Sequence, residues 1–511
     1  MRQFFAPAPN LAGPRLGTAP QRIHARRQEY GFRALVVVAI GAILCRRWQQ
    51  MGAYVTGPDP GNWFAYGRGL FGGPGKSTGG VYPPLVPFLL HGAQWFFDPM
   101  NAAKLVGIGS LAAVMAATLF VALHGMNRWL ALAVALGVGL SAEVTETLAF
   151  GGYPQNYGFA FLLVAAAGFA GYLQTFSRRW LVLGGSALAG AALSHHVYYL
   201  LACLVVALIW LIWLAALPGK RCAVRATVSV IVASVPSLLF FLPTFLALWH
   251  DGYGAPLGAS GMDAQTALRQ AIIDARWLWI PTIATGSVYI AFTFRPRRPQ
   301  TWAVAAALLL ATVLFFPATG EIRLIPPLIA GALLSSGLAL EDLRKRSHHS
   351  IWAGTAFTAA AVFVILLYPL SDANAAKQYQ YYRVADRSLL DATAWVAAHA
   401  DQHRFVVRED GRGWPVGWWF EGLTRASIVV GSEPRWLAFP RERSNSALAG
   451  RFFDQQLSVA DLRALAVATN VRYLVFRKDW SAWPQWTAKF IPPFSAVYDD
   501  GEFTVVDLRA D

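Results

Sequence analysis

The sequence is short of charge and of cysteine. Only 14% of its 511 residues are Asp, Glu, Lys or Arg, where a soluble domain carries about 25%, and the mean hydropathy is +0.41. Most of the chain therefore does not face water. The three cysteines, Cys45, Cys203 and Cys222, fall in or beside apolar segments, where a disulfide framework for an extracytoplasmic domain would not be placed. Also missing are a P-loop, a dinucleotide-binding GxGxxG after a strand, an HExxH and a CxxC pair, so nucleotide, zinc-protease and thiol-redox chemistry have no carrier here. Heptads, internal repeats and low-complexity tracts are absent as well.

What is present is a series of apolar runs. A helix needs about 20 apolar residues to cross roughly 30 Å of hydrocarbon. The candidate segments are 31–45, 104–124, 129–148, 158–176, 180–196, 197–216, 224–247, 277–294, 301–318, 322–340 and 351–370. The net charge of +15 gathers in short clusters between them rather than along one polar face, which argues against a nucleic-acid partner. Arg22, Arg26, Arg27 and Arg33, then Arg128, Arg178/Arg179, Lys220/Arg221/Arg225, Arg295/Arg297/Arg298 and Arg344/Lys345/Arg346 all fall on one side if there are eleven spans. By the positive-inside rule that side is cytoplasmic. Arg46 and Arg47 disagree, and belong either to a longer first helix or to an outer surface site. The count requires that 82–97, YPPLVPFLLHGAQWFF, not cross; its prolines and length suit a helix at the outer interface.

The expected organisation is a mostly α, polytopic helical membrane protein. A Pro- and Arg-rich cytoplasmic tail (1–30) is followed by a transmembrane domain (31–370) and a small extracytoplasmic α/β domain (371–511). In that last part about a quarter of residues are charged, as in soluble proteins. Its patterns predict helices near 388–400, 414–423 and 458–469, strands at 404–409, 427–432 and 472–477, and a hairpin over 494–508 turning at Asp500-Gly501.

Four places carry candidate chemistry. Asp59, in GPDPGNW, is the only carboxylate between Glu29 and Asp98, with Asn62, Trp63, Tyr66 and Arg68 close behind. A partly desolvated acid at a membrane surface serves as a general base; an Asp between two prolines equally forms a turn. Glu143 and Glu146 share one helix face ahead of GGYPQNY, and acids near a bilayer line cavities or snorkel at a helix end. His195 and His196 are candidates for phosphate or metal, although neighbours on a helix point in two directions. Arg323, in TGEIRLIPP beside Glu321, either contacts a lipid phosphate or anchors its helix. Tryptophans 414, 418, 419, 436, 480, 483 and 486 offer either sugar-stacking surfaces or a membrane belt.

Taken together these features resemble the GT-C superfamily of membrane glycosyltransferases, which includes protein O-mannosyltransferases, lipid A aminoarabinose transferases and oligosaccharyltransferase catalytic subunits. The resemblance rests on an outer loop with an acid after the first span (Asp59) and a YPPL-type helix (Tyr82, Pro83, Pro84, Leu85). It rests further on acids and an aromatic loop after the third span (Glu143, Glu146, Tyr153), and on an arginine before a Pro-containing span (Arg323, Pro326, Pro327). It implies an inverting transfer from a polyprenyl-phosphate sugar to a cell-envelope glycan, lipid or protein at a bacterial plasma membrane. Asp59 would be the base, and Arg323 with His195 or His196 would meet the phosphate. Glu143, Glu146 and Tyr153 would position the acceptor or a metal, and Tyr82, Pro83 and Pro84 would border the lipid groove. No cofactor is certain; a divalent cation, Mg or Mn, is the candidate, and the lone Asp59 departs from the paired acids of several branches. The rival readings are a lipid or sugar transporter and a non-catalytic membrane scaffold.

Overall fold

The computed structural model describes residues 19–72, 82–215, 219–251, 276–293, 300–319, 322–346, 350–399, 403–437, 439–491 and 493–509. Glu321 and the Arg295–Arg298 cluster lie outside them. The helical body consists of α1 (Ala19–Met51), α2 (Asp59–Leu70), α3 (Leu85–Ala93), α4 (Pro99–Leu123), α5 (Arg128–Gly139), α6 (Ala142–Phe150), α7 (Tyr153–Thr175), α8 (Arg178–Ser194), α9 (His196–Leu214), α10 (Lys220–Asp251), α11 (Arg276–Phe292), α12 (Gln300–Thr319), α13 (Ile325–Arg346) and α14 (Ser350–Tyr381).

Among the described residues each apolar segment read from the sequence lies mostly in helix. Among the described residues five helices are long and apolar enough to cross a bilayer, and six if α5 and α6 count as one span. Those two meet at a 46° bend, where Ser141 caps α6 by accepting from the Val144 amide (3.4 Å). The first helix begins within the expected tail and runs to Met51, which settles the place of Arg46 and Arg47: they belong to a longer helix. Arg46 makes a two-pronged bond to Asp372 of α14 (2.9 and 2.8 Å), and the buried Arg47 donates to Ser371 (2.6 Å). The expected boundary at 370/371 is not a break, because α14 continues unbroken past it to Tyr381.

The C-terminal part adds α15 (Arg387–Ala398), α16 (Gly417–Leu423), α17 (Pro440–Phe452), α18 (Val459–Thr469) and α19 (Trp483–Phe490) to strands β1 (Arg404–Val407), β2 (Ser427–Val430), β3 (Val471–Arg477), β4 (Ser495–Asp499) and β5 (Phe503–Asp507). The order is β2-β1-β3-β5-β4; β1 pairs parallel with β2 and β3, and β5 antiparallel with β3 and β4. The Asp500-Gly501 turn is where expected, with Gly501 at φ +92. Alternation along the strands divides the sheet. Phe405, Val407, Tyr473 and Val475 face the core shared with the helical body, while Val406, Leu474, Phe476 and Val506 face a separate cluster on the other side. Two helices, α17 and α19, were not anticipated.

The tryptophans correct a sequence expectation. Trp414, Trp418, Trp419, Trp480 and Trp486 are buried, so they build the cores rather than sugar-stacking faces or a membrane belt; Trp436 is exposed.

Candidate functional site

The segment after α1 was expected to be a loop. It is instead the helix α2, opened by Asp59 in its first turn, where the helix dipole favours an acid. Asp59 is thus not part of a simple turn. Residues 59, 62, 63 and 66 follow the i, i+3, i+4, i+7 spacing that gathers side chains on one helix face. Asn62, Trp63 and Tyr66 are all buried.

Two glycines let the entry to α2 lie against the bend between α6 and α7. Gly57 has φ +90 and its amide donates to the Tyr382 carbonyl (2.8 Å); a Cβ there would stand 2.0 Å from the Phe150 carbonyl oxygen. Gly151 has φ +94, and a Cβ on it would meet Pro60 at 2.3 Å and the Asp59 Cβ at 3.1 Å. The Trp63 indole donates to the Gly151 carbonyl (2.8 Å). Asp59 is therefore held beside the GGYP turn, close enough for its charge to act on Tyr153 and Tyr382. Tyr382 donates its hydroxyl to Glu146 (2.7 Å). Burial first, and Glu146 second, push this phenol far above its ordinary value, so it stays a donor. Glu143 is buried one turn earlier on the same helix, and the Tyr153 hydroxyl is buried with no hydrogen-bond partner among the described residues.

A second group lies along the same strip. The Tyr82 ring is 4.6 Å from Trp63 and 5.7 Å from Tyr66, and it meets His195 and His196 edge-on at 6.3 and 6.0 Å. The two histidines do not diverge as helix neighbours would. His195 is extended (φ −158, ψ 126) between α8 and α9, which brings the imidazoles into a stack at 4.7 Å. Both are buried, and His195 Nδ1 has no hydrogen-bond partner among the described residues. Arg323 lies in a short 3-10 turn, with its carbonyl accepting from Tyr198 (2.9 Å), and its charge acts on both imidazoles. Trp63 and Tyr82 thus connect the histidine pair to the GGYP turn beside Asp59.

Beside Tyr82 opens an apolar groove of about 670 Å³, lined by Leu85, Phe161, Leu193, Val232, Pro236 and Phe240 among others. Of the YPPL run it is Leu85 that lines the groove. Tyr82 faces the histidines, Pro83 is buried, and Pro84 caps α3. Among the described residues no group of three or more His, Cys, Asp or Glu side chains is placed to hold a metal ion.

Sequence reasoning missed the roof of the site. Helix α16 packs on α2 so closely that a Cβ on Gly422 would stand 2.2 Å from the Gly61 carbonyl oxygen. The Trp419 indole donates to the Gly57 carbonyl (3.1 Å), and Arg68 donates to the carbonyls of Glu421 and Thr424 at the end of α16. The signal was an arginine one turn beyond the buried face of α2, followed 350 residues later by a Gly-containing WWFEG.

No family model matches this sequence, and neither does any curated protein. Solved structures do match. ArnT from Cupriavidus metallidurans in its apo state aligns with a TM-score of 0.60 at 14% identity, covering 94% of this chain and 99% of that one. The oligosaccharyltransferase AglB from Archaeoglobus fulgidus aligns at 0.57 and 13%, covering 91% and 71%. The arabinofuranosyltransferase AftD from Mycobacteria aligns at 0.58 and 16%, covering 94% and 40%. The fold is the one these three solved structures share. The chain spans about two-fifths of AftD but nearly all of ArnT.

Proposed function

We propose that this chain is an integral membrane glycosyltransferase that moves a sugar from a polyprenyl-phosphate donor to a cell-envelope acceptor. The observation that carries this reading is the adjacency of an apolar groove at Leu85 to the Arg323 guanidinium and the buried imidazoles of His195 and His196, with Asp59 at the far end of the same aromatic strip. A lipid phosphate has that profile: a long hydrocarbon tail and a compact anion. One ArnT structure with this fold is bound to undecaprenyl phosphate.

In the proposed reaction Asp59 takes the proton from an acceptor hydroxyl as its oxygen attacks the anomeric carbon. The bond from that carbon to the phosphate oxygen breaks, its electron pair leaves with the lipid phosphate, and the anomeric configuration inverts. Arg323 and the histidine pair stabilise the departing anion, a contribution that grows where water is excluded. Glu146, fixed by Tyr382, orients the acceptor, with Glu143 and Tyr153 behind it. The proposed topology has eleven crossings, a cytoplasmic N-terminus and the sheet domain outside, with the site at the outer face of a bacterial plasma membrane; the distribution of the basic clusters supports it.

The test is complementation of a deletion strain, read by mass spectrometry of envelope glycans, alongside undecaprenyl phosphate binding to the purified chain in nanodiscs. Asp59→Asn is expected to keep binding and lose transfer, and Arg323→Ala to weaken binding. Full complementation by Asp59→Asn would remove it from the base role, and net lipid movement across the bilayer without glycan transfer would favour a transporter.

A further inference from the structure

A second cavity lies in the C-terminal domain, away from the proposed transfer site. It measures about 460 Å³ and is formed by His403 before β1, Arg463 and Val467 of α18, Asn470 and Arg472 at the start of β3, and Arg509 after β5. Four separate stretches of chain deliver basic residues to one hollow. Among the described residues its carboxylate is Asp507, which binds Arg472 (2.9 Å) and sits 3.6 Å from Arg509. Arg472 and Arg509 share that aspartate. Arg463 has no carboxylate partner among the described residues; it donates to the Pro493 carbonyl (3.4 Å) and lies over the Phe494 ring. His403 contacts Asn470 (3.3 Å).

One wall is apolar. Val467 is 84% exposed, which is uncommon for a valine in a folded domain and leaves a hydrocarbon surface beside the guanidinium groups. Arginine binds carboxylate or phosphate by two parallel N–H bonds, and an aliphatic wall receives the C–H face of a sugar ring. The location argues against lipid headgroups. The chain beyond the opposite end of β1 contacts the end of α14: Trp414 stacks on Tyr382 (5.2 Å) and Arg412 donates to the Tyr381 carbonyl. The cavity opens at the starts of β1 and β3, and the seven residues of β3 carry it roughly 20 Å farther away.

We propose that this cavity is a docking site for an anionic glycan, a carbohydrate chain bearing carboxylate or phosphate groups. The site is separate from the transfer chemistry, and its occupancy is measurable without turnover. The full chain in detergent would be titrated calorimetrically with oligogalacturonate, with its methyl ester, and with a glycerol-phosphate oligomer, the first and third distinguishing carboxylate from phosphate. Binding of either acid is expected, with the neutral ester weaker by at least about tenfold. The double variant Arg463→Glu/Arg509→Glu should lose at least about tenfold in affinity while its thermal midpoint and its undecaprenyl phosphate binding stay unchanged. No binding of either acid, equal binding of acid and ester, or an unaffected double variant would overturn the assignment. So would binding only to phosphatidylglycerol vesicles that the double variant abolishes.

Discussion

Replacing Gly422 with alanine sets two physical effects against each other. Helix propensity alone favours the change by up to about 1 kcal/mol, since Gly costs that much relative to Ala in a helix interior. Packing opposes it. The new Cβ would lie 2.2 Å from the Gly61 carbonyl oxygen and 3.0 Å from its carbon, about 1 Å inside normal contact. Both obstacles are backbone, so no rotamer change relieves them, and overpacking of this kind costs about 1–3 kcal/mol. Contact should win, with a net loss of about 1–2 kcal/mol. Gly450, in α17, supplies the control: nothing lies within 4 Å of its Cβ position, so Gly450→Ala should gain up to about 1 kcal/mol. Tryptophan fluorescence during thermal unfolding is the suitable assay, because Trp418 and Trp419 sit in this contact. The midpoint should fall for Gly422→Ala and rise for Gly450→Ala. If both rise, the backbone of α16 does not rest on α2 and the roof over Asp59 is wrong.

Asp372→Ala should cost about 1–3 kcal/mol, because it takes a carboxylate from Arg47, whose side chain is 2% exposed, and leaves it Ser371 and Gln50; a midpoint within error of wild type would show that these two suffice. Leu193→Trp should fill part of the apolar groove and weaken undecaprenyl phosphate binding by about tenfold, whereas unchanged affinity would mean that the lipid lies elsewhere. Burial, followed by Glu502, raises the Asp386 carboxyl above its ordinary 3.8, even though it shares Arg477 with Glu502. The folded state therefore holds that proton more tightly than the unfolded one, and stability falls as pH rises through the window above 3.8. Asp386→Asn keeps a residue suited to capping α15 and should raise the unfolding midpoint at neutral pH, with the gain vanishing below pH 3.8; a gain that persists at pH 3 would rule out ionisation as its source.

The long apolar helices were legible because hydrocarbon thickness imposes a length that no other constraint mimics. The C-terminal strands were legible for a similar reason, since VVV and LVF runs bounded by turns have few alternatives. Helix α2 was not: DPGNWFAYGRGL contains three glycines and a proline, and propensity reads such a stretch as loop. Its helix survives because Trp63, Gly57 and Arg68 are held by partners about 90 to 360 positions away. The spacing of Asp59, Asn62, Trp63 and Tyr66 was the available clue. The histidine pair was misjudged through an assumption of continuous helix, when one extended residue separates α8 from α9. Arg46 was ambiguous because its partner, Asp372, lies 326 residues on. The tryptophans looked superficial because no local pattern reveals which face of a five-stranded sheet a distant helix will cover.

Helix α14 enters the helical body and emerges as the stem of the sheet domain without a break, tied at Asp372 to the end of α1. A stem of that kind transmits torque instead of absorbing it. The sheet domain follows this stem after the short non-helical stretch 382–386, and it is held to the helical body by the bonds of Gly57 to Tyr382, Arg412 to Tyr381 and Trp419 to Gly57. A cut at residue 370 would sever a helix mid-length, and neither fragment would be a natural unit.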